Sequence, residues 1–341
     1  MARAVTFGEI MMRLAPPSHE RFLQATSFDV TYAGGEANVA VSLAAFGHDA
    51  EFVTALPHGP LGDAAAGTLR YYGVGTSSIL RTDVGRLGLY FPESGAAQRG
   101  SQVIYDRAGS AVAVVDASSY DWGTILGEAD AFHTTGITPA LGEAPRRAAS
   151  EALATARQLG MLTSFDLNYR GKLWSPTEAR EAVEPMLENV DLIVGNEEDA
   201  KNVLGIAAEK TQVEAGELNR TAYEDVARQI AERYGAKYVA ITLRESESAT
   251  VNHWSACLLA DDQFRLSRRY TMHVVDRVGA GDAFCGGLLS ALLDRQPPDE
   301  ALEFAVAASC LKHSIHGDFN KVTKDEVLRL VFGHGSGRVD R

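Results

Sequence analysis

The sequence has few of the features that mark secreted, membrane or zinc-binding proteins. Only three of its 341 residues are cysteines, and none belongs to a C-x-x-C pair. An odd number of widely spaced cysteines argues against a disulfide framework and favours a reducing compartment, so we expect a cytoplasmic protein. There is no signal-peptide pattern at the N-terminus and no apolar run of roughly 18 residues that would span a bilayer. A zinc site is not expected either, because the chain has no H-x-x-x-H motif and no Cys/His cluster.

Positive charge is also scarce. Lysine and arginine total 32 residues against 45 aspartates and glutamates, which gives a formal net charge of −13. Such a surface repels nucleic acids and anionic membranes, so neither is an expected partner. Small anionic ligands remain possible, because local hydrogen-bond donors bind them and the net charge of the protein matters less.

Several nucleotide and hydrolase motifs are missing. The sequence contains no G-x-x-x-x-G-K-[ST], which excludes a Walker-type kinase. It has no G-x-G-x-x-G after its first predicted strand, which disfavours a nicotinamide oxidoreductase. It also lacks the G-x-S-x-G of many hydrolases.

Hydrophobic residues make up 45% of the chain, and they alternate between strand-like and helix-like patterns. Repeated β-α units predict an α/β fold with a mostly parallel sheet covered by helices on both faces. Two segments, about 11–32 and 87–115, break this alternation, and we interpret them as a small β-sheet lid. We expect one domain over residues 1–332 and a flexible tail over residues 333–341.

A candidate anion site lies just before an apolar helical run. The segment Asp276–Asp282 reads D-R-V-G-A-G-D, and its glycines let the backbone turn tightly and approach an anion closely. The free N–H groups of Ala280, Gly281 and Asp282 then lie at the positive end of the helix. A carboxylate there makes sense if it accepts a proton from an attacking hydroxyl. The alternative is an ordinary helix start with an acidic first turn.

Two motifs together resemble the PfkB, or ribokinase-like, family of carbohydrate kinases. Asp276–Asp282 is similar to the family's D-x-x-G-A-G-D element. Residues 33–40, A-G-G-E-A-N-V-A, are similar to its glycine-rich first element and include Gly34, Gly35 and Asn38. The two elements are far apart and in the expected order, and the resemblance covers nearly the whole chain. It implies a ribokinase-like fold.

The resemblance also implies roles for these residues. The last aspartate, Asp282, would be the catalytic base, and the backbone of Gly279, Ala280 and Gly281 would form the anion hole. Magnesium would be ordered by Asn196 and Asp199, although the family usually has glutamate at the second position. A monovalent cation, typically potassium, would lie beside Asp276 and Val278. The residues implied for ATP are Asn168, Asn196, Thr242, Arg244, Gly279 and Gly281.

The opposite end of the site carries two arginines. Arg107 follows Tyr105 in the predicted lid, and Arg170 belongs to D-L-N-Y-R, followed by Leu173-Trp174. Guanidinium groups suit a planar carboxylate, so the substrate is predicted to be a sugar acid. Within the family these patterns look like the 2-keto-3-deoxygluconate kinases. The substrate contacts implied are Gly34, Gly35, Asn38, Tyr90, Tyr105, Arg107, Arg170 and Asp282. Arg107 as a surface residue and Tyr90 as a lid-core aromatic are the alternatives.

One loop departs from the family pattern. Where the family has a G-x-x-G turn near the ATP phosphates, this chain has R-E-S-E-S-A over residues 244–249. Arg244 either meets a phosphate or belongs to a solvated hairpin. The rival functions are a fructokinase or other sugar kinase, and a non-catalytic sugar-acid or nucleotide sensor on the same fold. Because exposed lids in this family pair between subunits, a homo-oligomer is a further expectation.

Overall fold

The computed structural model describes residues 1–207 and 220–333. The predicted tail therefore lies, apart from Gly333, outside the described residues. The strands are β1 (Arg3–Phe7), β2 (Met11–Ala15), β3 (Asp29–Ala33), β4 (Asp49–Val53), β5 (Ala55–Pro57), β6 (Leu80–Thr82), β7 (Gly88–Glu93), β8 (Gln102–Asp106), β9 (Ala131–Thr135), β10 (Leu162–Asp166), β11 (Leu192–Asn196), β12 (Tyr238–Ser246), β13 (Val251–Ala260), β14 (Gln263–Leu266) and β15 (Tyr270–His273).

Helices alternate with these strands. They are α1 (Gly35–Ala45), α2 (Pro60–Tyr71), α3 (Ala111–Val114), α4 (Trp122–Leu126), α5 (Ile137–Ala140), α6 (Glu143–Gln158), α7 (Pro176–Leu187), α8 (Glu197–Asp199), α9 (Arg220–Tyr234), α10 (Ala280–Leu293), α11 (Pro298–Lys312) and α12 (Lys324–Val331). One 3₁₀ turn covers Ala117–Ser119, and a π-helical turn, Ala200–Leu204, continues α8. In the described ranges, no helix is both long and apolar enough to cross a membrane.

The large sheet confirms the predicted α/β architecture. Its order is β14-β13-β12-β11-β10-β9-β1-β4, with β15 also paired to β13. The run from β12 to β4 is parallel, whereas β13, β14 and β15 add an antiparallel edge. Two buried clusters of apolar side chains cover the sheet, one on each face. The carboxyl ends of the parallel strands therefore meet at one edge, where ligands of such sheets bind.

A separate four-stranded sheet forms the predicted lid. Its order is β3-β2-β7-β8, with β2 and β7 parallel and the outer pairs antiparallel. The second lid segment was predicted too long: β8 ends at Asp106, and Ala111–Val114 forms α3. Ala111 and Val112 are buried against the core of the large domain, which explains why this stretch leaves the lid.

Local sequence signals explain where several helices begin. Ser175 caps α7 with a capping box in which its side chain accepts from Glu178 N and the Glu178 carboxylate accepts from Ser175 N. Thr323 and Glu326 repeat the same arrangement at α12. At α10 the residue before the helix is Gly279, whose φ of 82° lies in the left-handed region.

Candidate active site

A cleft of about 580 Å³ lies between the lid and the carboxyl ends of the parallel strands. It gathers predicted residues from both ends of the sequence. Those that line it are Gly34, Gly35, Asn38, Tyr90, Tyr105, Arg107, Asn168, Arg170, Asn196, Asp199, Thr242, Arg244, Val278, Gly279, Ala280, Gly281 and Asp282. Of the predicted site residues, only Asp276 does not line it.

The start of α10 forms the base of the cleft. A Cβ added at Gly279 would come within 2.1 Å of the Asp318 carbonyl oxygen, so the backbone packs there as only glycine allows. A Cβ at Gly281 would meet nothing within 4 Å, which leaves open space in front of the helix start. An anion placed there would face the unpaired N–H groups and the positive end of the helix.

Asp282 lies in the first turn of α10 and its carboxylate is half-buried. Asn38 Nδ2 donates to Asp282 Oδ2 at 2.6 Å, which fixes the side chain. Burial raises the pKa of Asp282 to about 6, although the Asn38 hydrogen bond works in the opposite direction. A carboxylate with such a pKa is ionised at neutral pH and remains basic enough to take a proton.

The first glycine-rich element meets Asp282 from the other side. A Cβ at Gly35 would lie 3.7 Å from Asp282 Oδ1 and 3.9 Å from Asn168 Nδ2, so three predicted residues converge at one point. Gly34 is packed against the Glu9 backbone, because a Cβ there would come within 1.8 Å of the Glu9 carbonyl oxygen. This close approach explains the paired glycines before α1.

Glu36, which follows these glycines, anchors α1 to the sheet. Its Oε1 accepts from Thr135 N at 3.1 Å, from Thr135 Oγ1 at 2.8 Å and from Thr138 Oγ1 at 2.6 Å. Burial raises the pKa of Glu36 to about 7. The sequence did not identify Glu36 as important, since the donors to its carboxylate lie at and just after the end of β9, about a hundred residues away.

The lid turns one of its faces to the cleft. Cross-strand partners Arg13, Tyr90 and Tyr105 share this face. Tyr90 is buried, its hydroxyl donates to Asp318 Oδ2 at 2.7 Å, and its ring stacks on that of Tyr105. Tyr90 is thus both a lid-core aromatic and a cleft residue.

Arg107 lies at the end of β8 and is buried rather than on the surface. Its Nε and Nη2 both donate to Glu9 Oε2, and its guanidinium lies over the Tyr105 ring. Glu9 was not predicted, although it lies just past the end of β1, at the carboxyl edge of the sheet. Glu9 Oε1 is buried and has no hydrogen-bond partner among the described residues.

Acidic side chains surround Arg170. Burial, with the charges of Asp199 and Asp282, raises the pKa of Asp166 well above its usual range. Burial also raises the pKa of Asp199 and of Asp282, and at all three carboxyls the Arg170 guanidinium partly opposes the rise. The cleft therefore holds a cluster of carboxylates with Arg170 as a nearby positive charge.

Comparison with known proteins agrees with this geometry. The sequence profile of the pfkB family carbohydrate kinases matches residues 1–324. The chain belongs to the pfkB family of carbohydrate kinases. It is 39% identical over 342 residues to the 2-dehydro-3-deoxygalactonokinase of Haloferax volcanii, covering 100% of this chain and 99% of the relative. The crystal structure of 2-dehydro-3-deoxygluconokinase from Thermotoga maritima superposes with a TM-score of 0.93 at 49% identity, covering 97% and 98%. Fructokinase-1 of Oryza sativa is 26% identical over 337 residues, 96% of this chain and 97% of the relative.

In this pfkB kinase the segment that begins at Arg244 belongs to the large sheet. Strand β12 continues to Ser246 and pairs with β13, with Arg244 opposite Trp254. The Arg244 guanidinium lies over the Trp254 ring at 4.8 Å, and its Nη1 is buried with no hydrogen-bond partner among the described residues. Burial, together with the charge of Arg277, lowers the pKa of Arg244 to about 9. Arg277 also lines the cleft. Both arginines therefore line the cleft, and within the described ranges neither forms an ion pair with a carboxylate.

The predicted magnesium residues are partly used within the protein. Asn196 Oδ1 accepts from Asp199 N, and Asp199 accepts from Asn196 N and Tyr169 N, each at 3.0 Å. Asp199 therefore keeps lone pairs that can accept hydrogen bonds from water, although its carboxylate is not fully free. The carboxylates of Asp199 and Asp282 each repel that of Asp166. Nearby magnesium would relieve this, so the residues fit an ion held through water. Across residues 1–207 and 220–333, no group of three or more His, Cys, Asp or Glu side chains is placed to hold a metal directly.

The surroundings of Asp276 do not fit the monovalent cation predicted beside it. Its carboxylate accepts from Arg13 Nη2 at 2.5 Å, from Val278 N at 3.1 Å and from Gly317 N at 3.1 Å. Its carbonyl oxygen accepts from Lys312 Nζ at 3.0 Å. No sequence pattern pointed to these contacts of Asp276 with Arg13 and Lys312.

Proposed function

We propose that this pfkB kinase transfers the γ-phosphoryl group of ATP to the C6 hydroxyl of 2-keto-3-deoxygluconate. One observation carries the proposal: a single cleft brings Asp282 and the open helix start together with two arginines suited to a carboxylate. The phosphoryl chemistry is assigned to the α10 end and the sugar acid to the lid end.

The reaction follows from the position of Asp282. The C6 oxygen attacks the γ-phosphorus, the bond from that phosphorus to the ADP oxygen breaks, and Asp282 accepts the hydroxyl proton. Asn38 holds the receiving carboxylate in place. The N–H groups at the start of α10 stabilise the charge that develops on the transferring phosphoryl oxygens. These interactions are stronger where the bound substrates exclude water from the cleft.

ATP and magnesium occupy the opposite wall in this proposal. Magnesium, when bound, neutralises phosphate charge, and Asn196 and Asp199 would order its water ligands. Asn168 and Thr242 line the same wall. Arg244 and Arg277 would meet the phosphates, since neither is paired with a carboxylate in the described part of the chain.

The lid end favours an acid over a neutral sugar. A carboxylate pairs well with guanidinium groups, and both Arg107 and Arg170 line the cleft. The unpartnered Glu9 Oε1 is an acceptor for a sugar hydroxyl. Tyr90 and Tyr105, whose rings stack on each other, line the cleft on the lid side.

A second candidate is the C4 epimer, 2-keto-3-deoxygalactonate, because the Haloferax volcanii relative takes its name from that sugar acid. The two acids present the same carboxylate and the same C6 hydroxyl, so Asp282 and the arginines serve both. A fructokinase is the neutral-sugar alternative, and a sensor without turnover is the alternative of another class.

A sugar panel decides among these. ADP release would be followed with ATP, magnesium and each of 2-keto-3-deoxygluconate, 2-keto-3-deoxygalactonate, fructose and ribose. We expect the acids to have the highest kcat/KM. Replacing Arg107 or Arg170 with methionine should lower kcat/KM for the acids by about a hundredfold and leave any activity on fructose nearly unchanged. A higher kcat/KM on fructose or ribose would overturn the substrate, and no turnover on any sugar would favour the sensor.

We also propose a cytoplasmic homo-oligomer. The three cysteines are free thiols, which suits a reducing compartment. The outer face of the lid carries an apolar cross-strand row whose end members, Val30 and Ile104, are each 53% exposed. A second copy of the chain is the partner proposed for this face.

A further inference from the structure

The cluster beneath the α10 start contains two cations supplied by the chain itself. Arg13 bridges two carboxylates, with Nη2 at 2.5 Å from Asp276 and Nη1 at 2.6 Å from Asp318. Lys312 Nζ lies 3.0 Å from the Asp276 carbonyl oxygen and 3.5 Å from that of Ile315. Both side chains are buried, and Lys312 is 0% exposed.

The Lys312 ammonium group has carbonyl oxygens around it of the kind that would also bind a monovalent ion. Its ammonium group is a compact single positive charge that contacts backbone carbonyl oxygens, as an alkali-metal ion would. The Asp276 carbonyl it contacts belongs to the segment where the family resemblance implied potassium. Burial lowers the pKa of Lys312, while the charges of Asp276 and Asp318 raise it.

Charge balance argues against an additional ion. Arg13 and Lys312 carry two positive charges, and Asp276 and Asp318 carry two negative charges, so the cluster is neutral. A potassium ion would add a third positive charge to a buried and already balanced site, where an uncompensated charge is costly.

The cluster is joined directly to the catalytic segment. Gly279 packs on the Asp318 carbonyl, and Ser309 Oγ of α11 donates to the Ala280 carbonyl oxygen at 2.7 Å. Lys312 ends the same helix, and its charge partly opposes the rise that burial causes in the pKa of Asp282. The groups that fix the α10 start are therefore also those that surround Lys312.

We infer that Lys312 replaces the monovalent cation, so that this kinase holds its anion-binding segment in place without potassium. This rests on the proposed kinase function for activity, but the binding of potassium to the folded protein does not depend on it.

The first test uses the unmodified protein without substrates. Thermal unfolding would be followed in potassium chloride and in tetramethylammonium chloride at equal ionic strength. We expect the two Tm values to agree within about 1 °C, because a ligand that does not bind the native state does not stabilise it. A saturable rise in Tm with potassium, absent with tetramethylammonium, would overturn the inference.

The second test removes the ammonium group. Lys312→Met keeps most of the side chain and leaves space at its head for an ion. We expect Tm and kcat/KM of this variant to fall in tetramethylammonium chloride, kcat/KM by about tenfold or more, and to recover with potassium or ammonium. Lys321→Met, which changes an exposed lysine nine positions later, should show no cation dependence.

The outcomes separate the two proposals. A folded Lys312→Met protein whose Tm ignores potassium would overturn the role of Lys312. Should Lys312→Met not fold, the comparison of salts on the unmodified protein decides alone. If no sugar is phosphorylated, the Tm series still tests the inference, and only the proposed activity fails.

Discussion

At the scale of single residues, the proposed chemistry depends on the carboxylate of Asp282. Asn38 positions it at 2.6 Å, and it lies in the first turn of the anion-binding helix. Asp282→Asn keeps the size of the side chain but cannot accept the proton. We expect kcat to fall about 10³-fold, while the Kd values for ATP and the sugar acid change little. Rapid-quench turnover and calorimetry would measure the two quantities. Turnover near that of the unmodified enzyme would rule out Asp282 as the base.

The raised pKa of Asp282 makes a second residue-scale prediction. Because burial raises this pKa to about 6, the carboxylate is ionised above that pH and protonated below it. The base works only when ionised, so kcat/KM should fall as pH drops through about 6 and level off above it. The profile of kcat/KM reports the free enzyme, in which this pKa applies. A profile that is flat across this range would contradict the assignment, provided that unfolding is excluded by circular dichroism at each pH.

At the scale of elements, the start of α10 has two glycines with different tasks. Gly279 has a φ of 82° and packs on the Asp318 carbonyl, whereas a Cβ on Gly281 meets only open space. Gly279→Ala should therefore lower the free energy of unfolding by about 2 kcal/mol or more, through a strained backbone and steric overlap. Gly281→Ala should leave stability nearly unchanged but place a methyl group in the cleft and lower kcat/KM by about tenfold. Urea unfolding and steady-state kinetics of the pair test this. Equal losses of stability would show that the two glycines do not differ.

Elements with a clear hydrophobic pattern or a helix-capping residue can be predicted from the sequence. The strands Ala131–Thr135 and Leu162–Asp166 are short runs rich in apolar and β-branched residues, and Ser175 with Glu178 forms a capping box at the start of α7, which are signals a sequence carries locally. The antiparallel edge formed by β13, β14 and β15 was not predicted. Its long central strand is buried almost throughout, so it lacks the alternation that marks a half-buried strand. The continuation of β12 through Arg244 was missed because polar residues there are paired to β13 rather than solvated.

At the scale of the whole molecule, the predicted site residues converge because the fold joins distant segments. Gly35 and Asp282 are far apart in sequence, and only the sheet and the packing of α1 on α10 bring them together. Motifs could be recognised one at a time, since each has its own residue spacing. Contacts such as Glu9 with Arg107, or Arg13 with Asp276, join different segments without any local pattern. The sequence therefore indicated which residues form the cleft, whereas their ion-pair partners required the structure.

The outer face of the lid leads to a prediction about assembly. Strand register aligns Val30 with Leu14, and Ile104 with Phe91, so an apolar row crosses the sheet on the side away from the cleft. An apolar sheet face of this kind is stabilised by burial against a partner. We expect the protein to have the mass of two or more chains in light scattering.

Ile104→Lys should shift this assembly towards the monomer, because a charge in an apolar interface loses its hydration. Leu159→Lys is the matched control, since Leu159 is 50% exposed at the end of α6 and outside the lid. A monomeric unmodified protein would refute the assembly. An oligomer that both variants leave intact would instead place the interface away from the lid. Since the opposite face of this sheet carries Tyr90 and Tyr105, loss of the oligomer should also raise KM for the sugar acid, linking assembly to the cleft.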